Sequence, residues 1–333
     1  MITSIEIQNL RGIHHGELND LSPLTILVGP NGCGKSTILE AFVLVVGLPD
    51  RRNTRTFVAE RRAKVTGAGR LVKWRGDERA DLFVAAGLSN RTTKRLHADV
   101  TRDDGQCRGR FEVGADFDFT GVTTTRLSLL APLPPEAEVL TPLRLIDSRP
   151  PHSDASQSNG PVPLHQLYTA TVKRGHRGRV FDLVKATVTD AVALEILAPE
   201  DHPELHVDFP DWALPVALLG DGTHELIRLV LELASVKDGL VLIEEPESHQ
   251  HPANMRLAAR AILAAVDLGV QVVLTTHSLE FIDFLLAECG DNEKHLDQLS
   301  LFRLKLDNGE LLSARVPGAE VARVRHEIEG DLR

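Results

Sequence analysis

The chain has 333 residues, 42% hydrophobic, 25% charged and 4% aromatic, with a formal net charge of −10. That is the composition of a folded globular protein, and it excludes a collagen, a low-complexity tail and a disordered acidic segment. At roughly 150 residues per domain, the length allows about two domains or one large one with insertions.

Cys33, Cys107 and Cys289 are too few and too scattered for a disulfide framework or a zinc site. They point to a reducing, cytoplasmic setting. The opening MITSIEIQNLRG has no basic segment leading into an apolar stretch, so no signal peptide is expected. The longest apolar runs, such as Ala41 to Leu48, fall short of the roughly 18 residues of a membrane span. Charge is unevenly placed. Arg51 to Arg75 holds nine basic residues and one acidic, a local charge of +8 that leaves −18 for the rest.

In chain order, residues 2–8 alternate as a strand, with Gly16–Leu18 as its hairpin partner. Leu24–Val28 is a short apolar run, a buried strand, and Ser36–Gly47 is a helix apolar on nearly all sides. After the basic stretch, Arg70–Trp74 and Asp81–Leu88 read as strands. Lys94–Thr101 and Gln106–Val113 flank Asp104-Gly105, a hairpin signal. Pro132–Pro135 and Asp154–Pro163 are loops. Helices are expected over Pro163–Lys173 and Gly178–Asp190, the second with Val180, Val184 and Val188 on one face. Strands follow near Ala191–Leu197, Glu204–Phe209 and Trp212–Leu218. The last third alternates: helix Thr223–Val236, strand Leu240–Ile243, helix Ala253–Leu268, strand Val270–Thr275, helix Leu279–Ala287. Leu299–Leu306 and Glu310–Val316 flank the turn Asn308-Gly309, before a final helix over Ala319–Glu329. Buried apolar strands alternating with helices predict an α/β fold with parallel strands.

Gly29-Pro30-Asn31-Gly32-Cys33-Gly34-Lys35-Ser36-Thr37 matches the phosphate-loop pattern in full, between an apolar strand and a helix. Glycines let successive N–H groups turn inward on a phosphate, and the helix N-terminus favours an anion. Lys35 is expected to bridge the β- and γ-phosphates, and Ser36 to ligate Mg²⁺. Cys33 is read as a small residue used for its backbone.

Leu240–Ile243 ends in Glu244-Glu245-Pro246-Glu247. Glu244 at the strand tip suits Mg²⁺, and Glu245 suits the orientation or deprotonation of an attacking water. Val272–Leu274 leads into Thr275-Thr276-His277-Ser278. In an open parallel sheet the carboxyl ends of the strands form the ligand crevice, so His277 and Glu245 are expected to face one nucleotide. His249-x-His251 reads either as a metal pair or as polar loop residues.

Together these segments resemble the ABC-type ATPases of the SMC, RecF and OLD group. Ile5-x-Ile7-x-Asn9-Leu10-Arg11-Gly12 looks like the group's opening, where a residue near Arg11 lies by the nucleotide. Gly29–Thr37 resembles its Walker A. Ile243-Glu244-Glu245-Pro246-Glu247-x3-His251-Pro252 is similar to its Walker B, most like the OLD-type branch. Thr275–Ser278 resembles the switch-histidine segment. Leu219-Gly220-Asp221-Gly222-Thr223 sits where the group keeps its signature motif.

The resemblance covers roughly residues 1–48 and 212–290. It implies a P-loop NTPase with an ABC-ATPase-like head: a mixed sheet, an antiparallel β insertion and a helical lobe. With the elements read above, the chain divides into a split core over 1–48 and 191–318, a basic antiparallel insertion over 49–148, a helical lobe over 149–190 and a C-terminal helix over 319–333, the middle stretch 49–211 lying outside the resemblance. Lys35, Glu245 and His277 are the expected catalytic residues. Arg11, Asn31, Gly32, Cys33, Gly34, Lys35, Ser36, Thr37, Gly220, Asp221 and Gly222 are expected to bind ATP, and Ser36 and Glu244 to hold Mg²⁺. The signature position implies a head-to-tail homodimer with nucleotides sandwiched between chains. Glu244 stands where Asp is commoner, and Gln250 where Leu is frequent. Gln157 and Gln166 are both open as the Q-loop residue. No stretch after residue 290 is long enough for a Toprim nuclease, so any cutting is expected to belong to a partner.

The function expected from this is an ATP-driven clamp, sensor or effector-controlling subunit acting on DNA, in genome maintenance or phage defence, with Arg51–Arg75 as the DNA-contacting segment. The alternatives are a regulatory ATPase acting on a protein partner, and a transporter ATPase subunit.

Overall fold

The computed structural model describes residues 1–47, 79–91, 93–103, 106–117, 121–128, 143–147, 162–248, 250–290, 292–328 and 330–332. The basic segment Arg51–Arg75 and the expected strand Arg70–Trp74 lie outside them.

Among the described residues, twelve strands form one mixed sheet. Its parallel part contains β3 (Leu24–Val28), β8 (Leu143–Asp147), β12 (Leu240–Glu244), β13 (Gln271–Thr275) and β14 (Leu299–Asp307), in the order β14-β3-β13-β12-β8. Every residue of β3, β12 and β13 is buried. The two faces feed different cores. Leu24, Ile26, Val241, Ile243, Val272 and Leu274 pack with the helices that follow the middle of the chain. Leu27, Leu240, Leu242 and Val273 pack with α1 (Lys35–Gly47) and the N-terminal strands. Burial on both faces explains why these strands read as unbroken apolar runs rather than alternating ones.

Beyond β14 the pairing is antiparallel except between β15 (Glu310–Pro317) and β2 (Ile13–Asn19). β14 pairs with β15, joined by Asn308 and Gly309, both at positive φ, as the expected two-residue hairpin requires. β15 runs parallel to β2, which pairs with β1 (Ile2–Leu10). β1 then takes β4 (Arg79–Leu88), followed by β5 (Thr93–Asp103), β6 (Gln106–Phe117) and β7 (Gly121–Ser128), all antiparallel. β5 and β6 pair antiparallel with Asp103 opposite Gln106, and Asp104-Gly105, the expected turn between them, lies outside the described residues. β8 falls within the 49–148 stretch yet runs parallel to β12, as part of the central sheet.

Two helices, α2 (Leu164–Lys173) and α3 (Arg177–Lys185), precede a small sheet of β9 (Ala193–Leu197), β10 (Glu204–Asp208) and β11 (Ala213–Pro215). α3 is shorter than the expected Gly178–Asp190. Val180, Val184 and Val188 are buried on one side as expected, but the helix stops before Thr187-Val188-Thr189, a β-branched run with low helix propensity. The expected strand Trp212–Leu218 is cut to three residues, because Pro215 has no N–H for the ladder and Val216–Leu218 turns as a 3₁₀ helix.

α4 (Asp221–Ser235), α5 (Pro252–Asp267) and α6 (Leu279–Cys289) cover one face of the parallel strands. α5 is capped by His251, whose Nδ1 accepts from the Ala253 N–H at 3.2 Å, and α6 by Ser278, whose Oγ accepts from the Phe281 N–H at 3.1 Å. A short α7 (Glu293–Asp297) and α8 (Gly318–Ile328) complete the described chain. Among the described residues no helix is long and apolar enough to cross a membrane.

Candidate nucleotide site

The parallel strands end level with one another. Thr275 lies opposite Leu27 on one side and Glu244 on the other, and Glu244 lies opposite Asp147. Backbone bonds continue the lattice past the strand tips: the Thr276 N–H donates to the Leu27 carbonyl at 3.2 Å, and the Glu245 N–H to the Thr275 carbonyl at 3.0 Å. Segments distant in sequence are thus fixed at one edge of the sheet.

The loop after β3 wraps around its own lysine. Lys35 is buried, and its Nζ donates to the carbonyls of Gly29 (2.7 Å) and Pro30 (3.1 Å) and lies 3.8 Å from Cys33 Sγ. Burial pushes its pKa below the usual lysine value, opposed by the Cys33 thiol and the carboxylates of Glu245 and Glu247. A buried cation whose direct hydrogen bonds go to neutral groups is suited to an anion. The loop conformation depends on glycine. At Gly29 (φ 148°) a Cβ would fall 2.8 Å from Cys33 Sγ and nearer still to the Leu304 carbonyl oxygen. Gly32 and Gly34 also hold positive φ. Asn31 and Gly32 are exposed at the loop tip, Thr37 is half-buried, and Cys33 is buried beneath.

Across the edge, the Ser36 hydroxyl donates to Glu244 Oε1. The two residues expected to share a metal are therefore in direct contact. Both are hard oxygen donors of the kind that magnesium takes. Glu245, 39% exposed, carries its carboxylate Oε1 3.5 Å from His277 Nε2. Its backbone is left-handed, φ 48°.

Arg11 belongs to the two-residue turn joining β1 to β2, at φ 53°, and its guanidinium pairs with Glu40 of α1. It stands beside the phosphate-loop helix, with its charge engaged there. Gly220 is the N-cap of α4, and Asp221 and Gly222 form its first turn. Gly220 accepts from Thr223 and His224 of its own helix, and Gly220 and Asp221 are exposed. The same helix meets Glu244 from behind: Glu225, Leu226 and Leu229 line a shallow hollow, partly open to solvent, together with Glu244, Pro246 and Gln250. Gln166 sits exposed on α2, away from the strand tips, and Gln157 and His249 lie outside the described residues. His251 caps a helix, and among the described residues no group of three or more ligating side chains is placed to hold a metal ion.

Two features escape the sequence reading. Glu247, read there only as part of a motif, accepts at Oε1 from the Thr276 hydroxyl (2.7 Å) and the His277 N–H (2.9 Å). β8 brings the backbone of Asp147 to the same edge. The alternation of Leu143, Leu145 and Asp147 is a faint signal for that strand.

A family model described as an AAA ATPase domain matches residues 179–282, and one described as an AAA domain matches residues 4–102. The second takes in the phosphate loop, the first Glu244, Glu245 and His277. The uncharacterized protein MJECL11 of Methanocaldococcus jannaschii is 31% identical over 116 residues, 34% of this chain and 99% of that protein. An ATP/GTP phosphatase of Helicobacter pylori is 20% identical over 346 aligned positions, 92% of this chain and 93% of that one. Among solved structures, an SMC head bound to the C-winged helix domain of ScpA superposes with a TM-score of 0.59 at 12% identity, covering 95% of this chain and 97% of the other. An SMC head with an extended coiled coil, bound to the C-terminal domain of ScpA derived from Pyrococcus furiosus, gives 0.58 at 11%, covering 99% of both. The fold is that of SMC heads. The chain is an ATPase whose sequence carries AAA ATPase domain matches on both sides of its middle stretch.

Proposed function

We propose that two copies of this ATPase close over shared ATP, and that their closing and parting acts on DNA or on a DNA-handling effector, in genome maintenance or phage defence, as an OLD-like ATPase would. The observation that carries this reading is the division of the site. Lys35, Ser36, Glu244, Glu245 and His277 meet at one sheet edge, while Gly220 and Asp221 are exposed at the start of α4, where a second chain can meet them.

In this mechanism the inward N–H groups of the 29–35 loop cradle the β-phosphate, with Asn31, Gly32, Cys33 and Gly34 supplying backbone and Ser36 and Thr37 opening the helix. Lys35 exchanges the carbonyls of Gly29 and Pro30 for phosphate oxygens, which suit a buried cation better. Ser36 and Glu244 would hold a magnesium ion, which when bound neutralises charge on the phosphate oxygens. Glu245 orients the attacking water and takes its proton as the water oxygen bonds to the γ-phosphorus and the bridging oxygen leaves with ADP. His277, beside Glu245, donates to the γ-phosphate or the water. Arg11 steadies the nucleotide side of α1 through Glu40. Gly220, Asp221 and Gly222 offer the start of α4 to the partner's nucleotide.

The +8 charge of Arg51–Arg75 supports duplex DNA as the client, through release of condensed counterions. A second reading, a protein client, is supported by the SMC heads seen with ScpA domains.

The test uses Glu245→Gln, which keeps the shape and removes the base. With ATP this variant is expected to elute at twice the 36.5 kDa chain mass and to retain duplex DNA. Replacing Arg51, Arg52, Arg55, Arg61 and Arg62 by alanine should weaken that retention and flatten its salt dependence. A single-chain mass at saturating ATP overturns the paired mechanism; binding unchanged by the five replacements removes DNA and leaves the protein client.

A further inference from the structure

The turn after β12 folds back so that the Ser248 N–H donates to the Glu245 carbonyl at 2.9 Å, and this swings the Glu247 side chain across to the loop after β13. There one oxygen, Oε1, accepts two hydrogen bonds, from the Thr276 hydroxyl at 2.7 Å and from the His277 backbone N–H at 2.9 Å. Thr276 is fully buried, and its Oγ1 also accepts from the Ser278 N–H at 3.0 Å, which starts α6. The bonds to a carboxylate are charge-assisted, shorter and stronger than neutral ones.

The backbone of His277 is therefore clamped directly to the segment that carries Glu245, and the two side chains are left 3.5 Å apart. The second oxygen, Oε2, is buried and has no hydrogen-bond partner among the described residues. Burying a carboxylate oxygen unpaired is a stability cost that an amide or a hydroxyl in its place would reduce. Cost of this kind persists at sites that use the geometry it enforces.

We infer that Glu247 is the positioning residue for His277: it fixes the histidine relative to Glu245 through the backbone amide, without touching nucleotide. This rests on the part given to His277 in the proposed mechanism, and deepens it. A displacement of about 1 Å in a reacting group costs on the order of 100-fold in rate, so loss of the clamp falls on turnover and spares binding.

The test uses the full chain with Glu247→Ala, Glu247→Gln, His277→Ala and the double variant Glu247→Ala/His277→Ala. The readouts are steady-state ATP hydrolysis, affinity for a fluorescent ATP analogue, and hydrogen exchange of the 275–279 segment. Glu247→Ala is expected to lower kcat about 10- to 100-fold with KM and analogue affinity little changed, and to speed amide exchange at His277. Glu247→Gln, whose amide oxygen accepts the same two bonds, is expected to recover most of the loss. The double variant should be no slower than His277→Ala alone, because the two act as one unit.

Full turnover by Glu247→Ala overturns the inference, as does a double variant whose losses multiply. If His277→Ala hydrolyses ATP at the native rate, the reading of His277 itself fails and the clamp falls with it. A slow His277→Ala beside a fast Glu247→Ala sinks the clamp alone. Should Glu247→Ala not fold, Thr276→Val against Thr276→Ser asks the same question from the other end: kcat falls in the first and holds in the second, and equal kcat in both overturns the clamp.

Discussion

Gly29→Ala tests whether the phosphate loop is fixed by its packing on the sheet or only by its own turn. At φ 148° Gly29 occupies backbone space nearly closed to other residues, which costs about 1–3 kcal/mol for alanine. Its Cβ would also meet the Leu304 carbonyl of β14 and Cys33 Sγ, the first being backbone that cannot step aside. Such overpacking adds about 1–3 kcal/mol. Gly32→Ala is the internal control. It holds φ 79° with nothing within 4 Å of its Cβ, so it bears the backbone cost alone, about 1–2 kcal/mol. Urea unfolding of both variants gives the comparison through the shift in midpoint at constant slope. Gly29→Ala is expected to lose about 1–3 kcal/mol more than Gly32→Ala, the cost of the clash. Adding Cys33→Ala to Gly29→Ala should return only the sulfur's share, because the carbonyl clash remains. Equal stabilities for the two glycine variants would refute the reasoning.

Two further outcomes follow from contacts away from the nucleotide. The buried side chain of Gln271 clamps the start of β1, accepting from the Ile2 N–H at 2.8 Å and donating to its carbonyl at 2.7 Å. Gln271→Leu should therefore cost about 2–4 kcal/mol in urea unfolding and expose the Ile2 amide to exchange, since both backbone groups lose a buried partner. Burial, followed by the nearby charges of Asp267 and Glu288, pushes the Cys289 thiol up to about 11. The folded chain holds the neutral thiol longer than the unfolded chain does, so this contribution is complete below pH 9 and is lost as pH rises through 11. The native protein should lose on the order of 2–3 kcal/mol more across that window than Cys289→Ala, measured by unfolding at matched pH; parallel pH curves would count against it.

The parts of the fold legible in the sequence are those where one physical requirement dominates. β3, β12 and β13 are buried on both faces, so their apolar runs could be read directly. Asn308-Gly309 marks a hairpin because a two-residue turn needs left-handed backbone, and both residues hold positive φ. β7 and β8 were not legible: Thr123, Thr124 and Thr125 interrupt any apolar pattern in one, and the other is a five-residue strand between proline-rich stretches. At the site, residue types were legible wherever a polar group directly ends a buried strand, as at Lys35, Ser36, Glu244, Glu245 and His277. The Glu247 clamp was not, because its bonds join loops 29 and 30 residues apart, and only the register of β12 against β13 brings those loops together.

The backbone of Glu245 shows why that register matters. A non-glycine residue at φ 48° costs about 1–3 kcal/mol, and the following Pro246 further restricts it. An isolated strand-to-loop turn would relax by rotating Glu245 back to negative φ and carrying its carboxylate away from His277. Here the Glu245 N–H is tied to the carbonyl and the hydroxyl of Thr275, at 3.0 and 3.3 Å, while the Glu247 carboxylate holds the next loop. Both restraints run from the tip of β12 to the tip of β13, strands whose full burial leaves no slack in register. The strained conformation is thus sustained by the parallel core, and the same core holds the carboxylate and the imidazole within reach of one another.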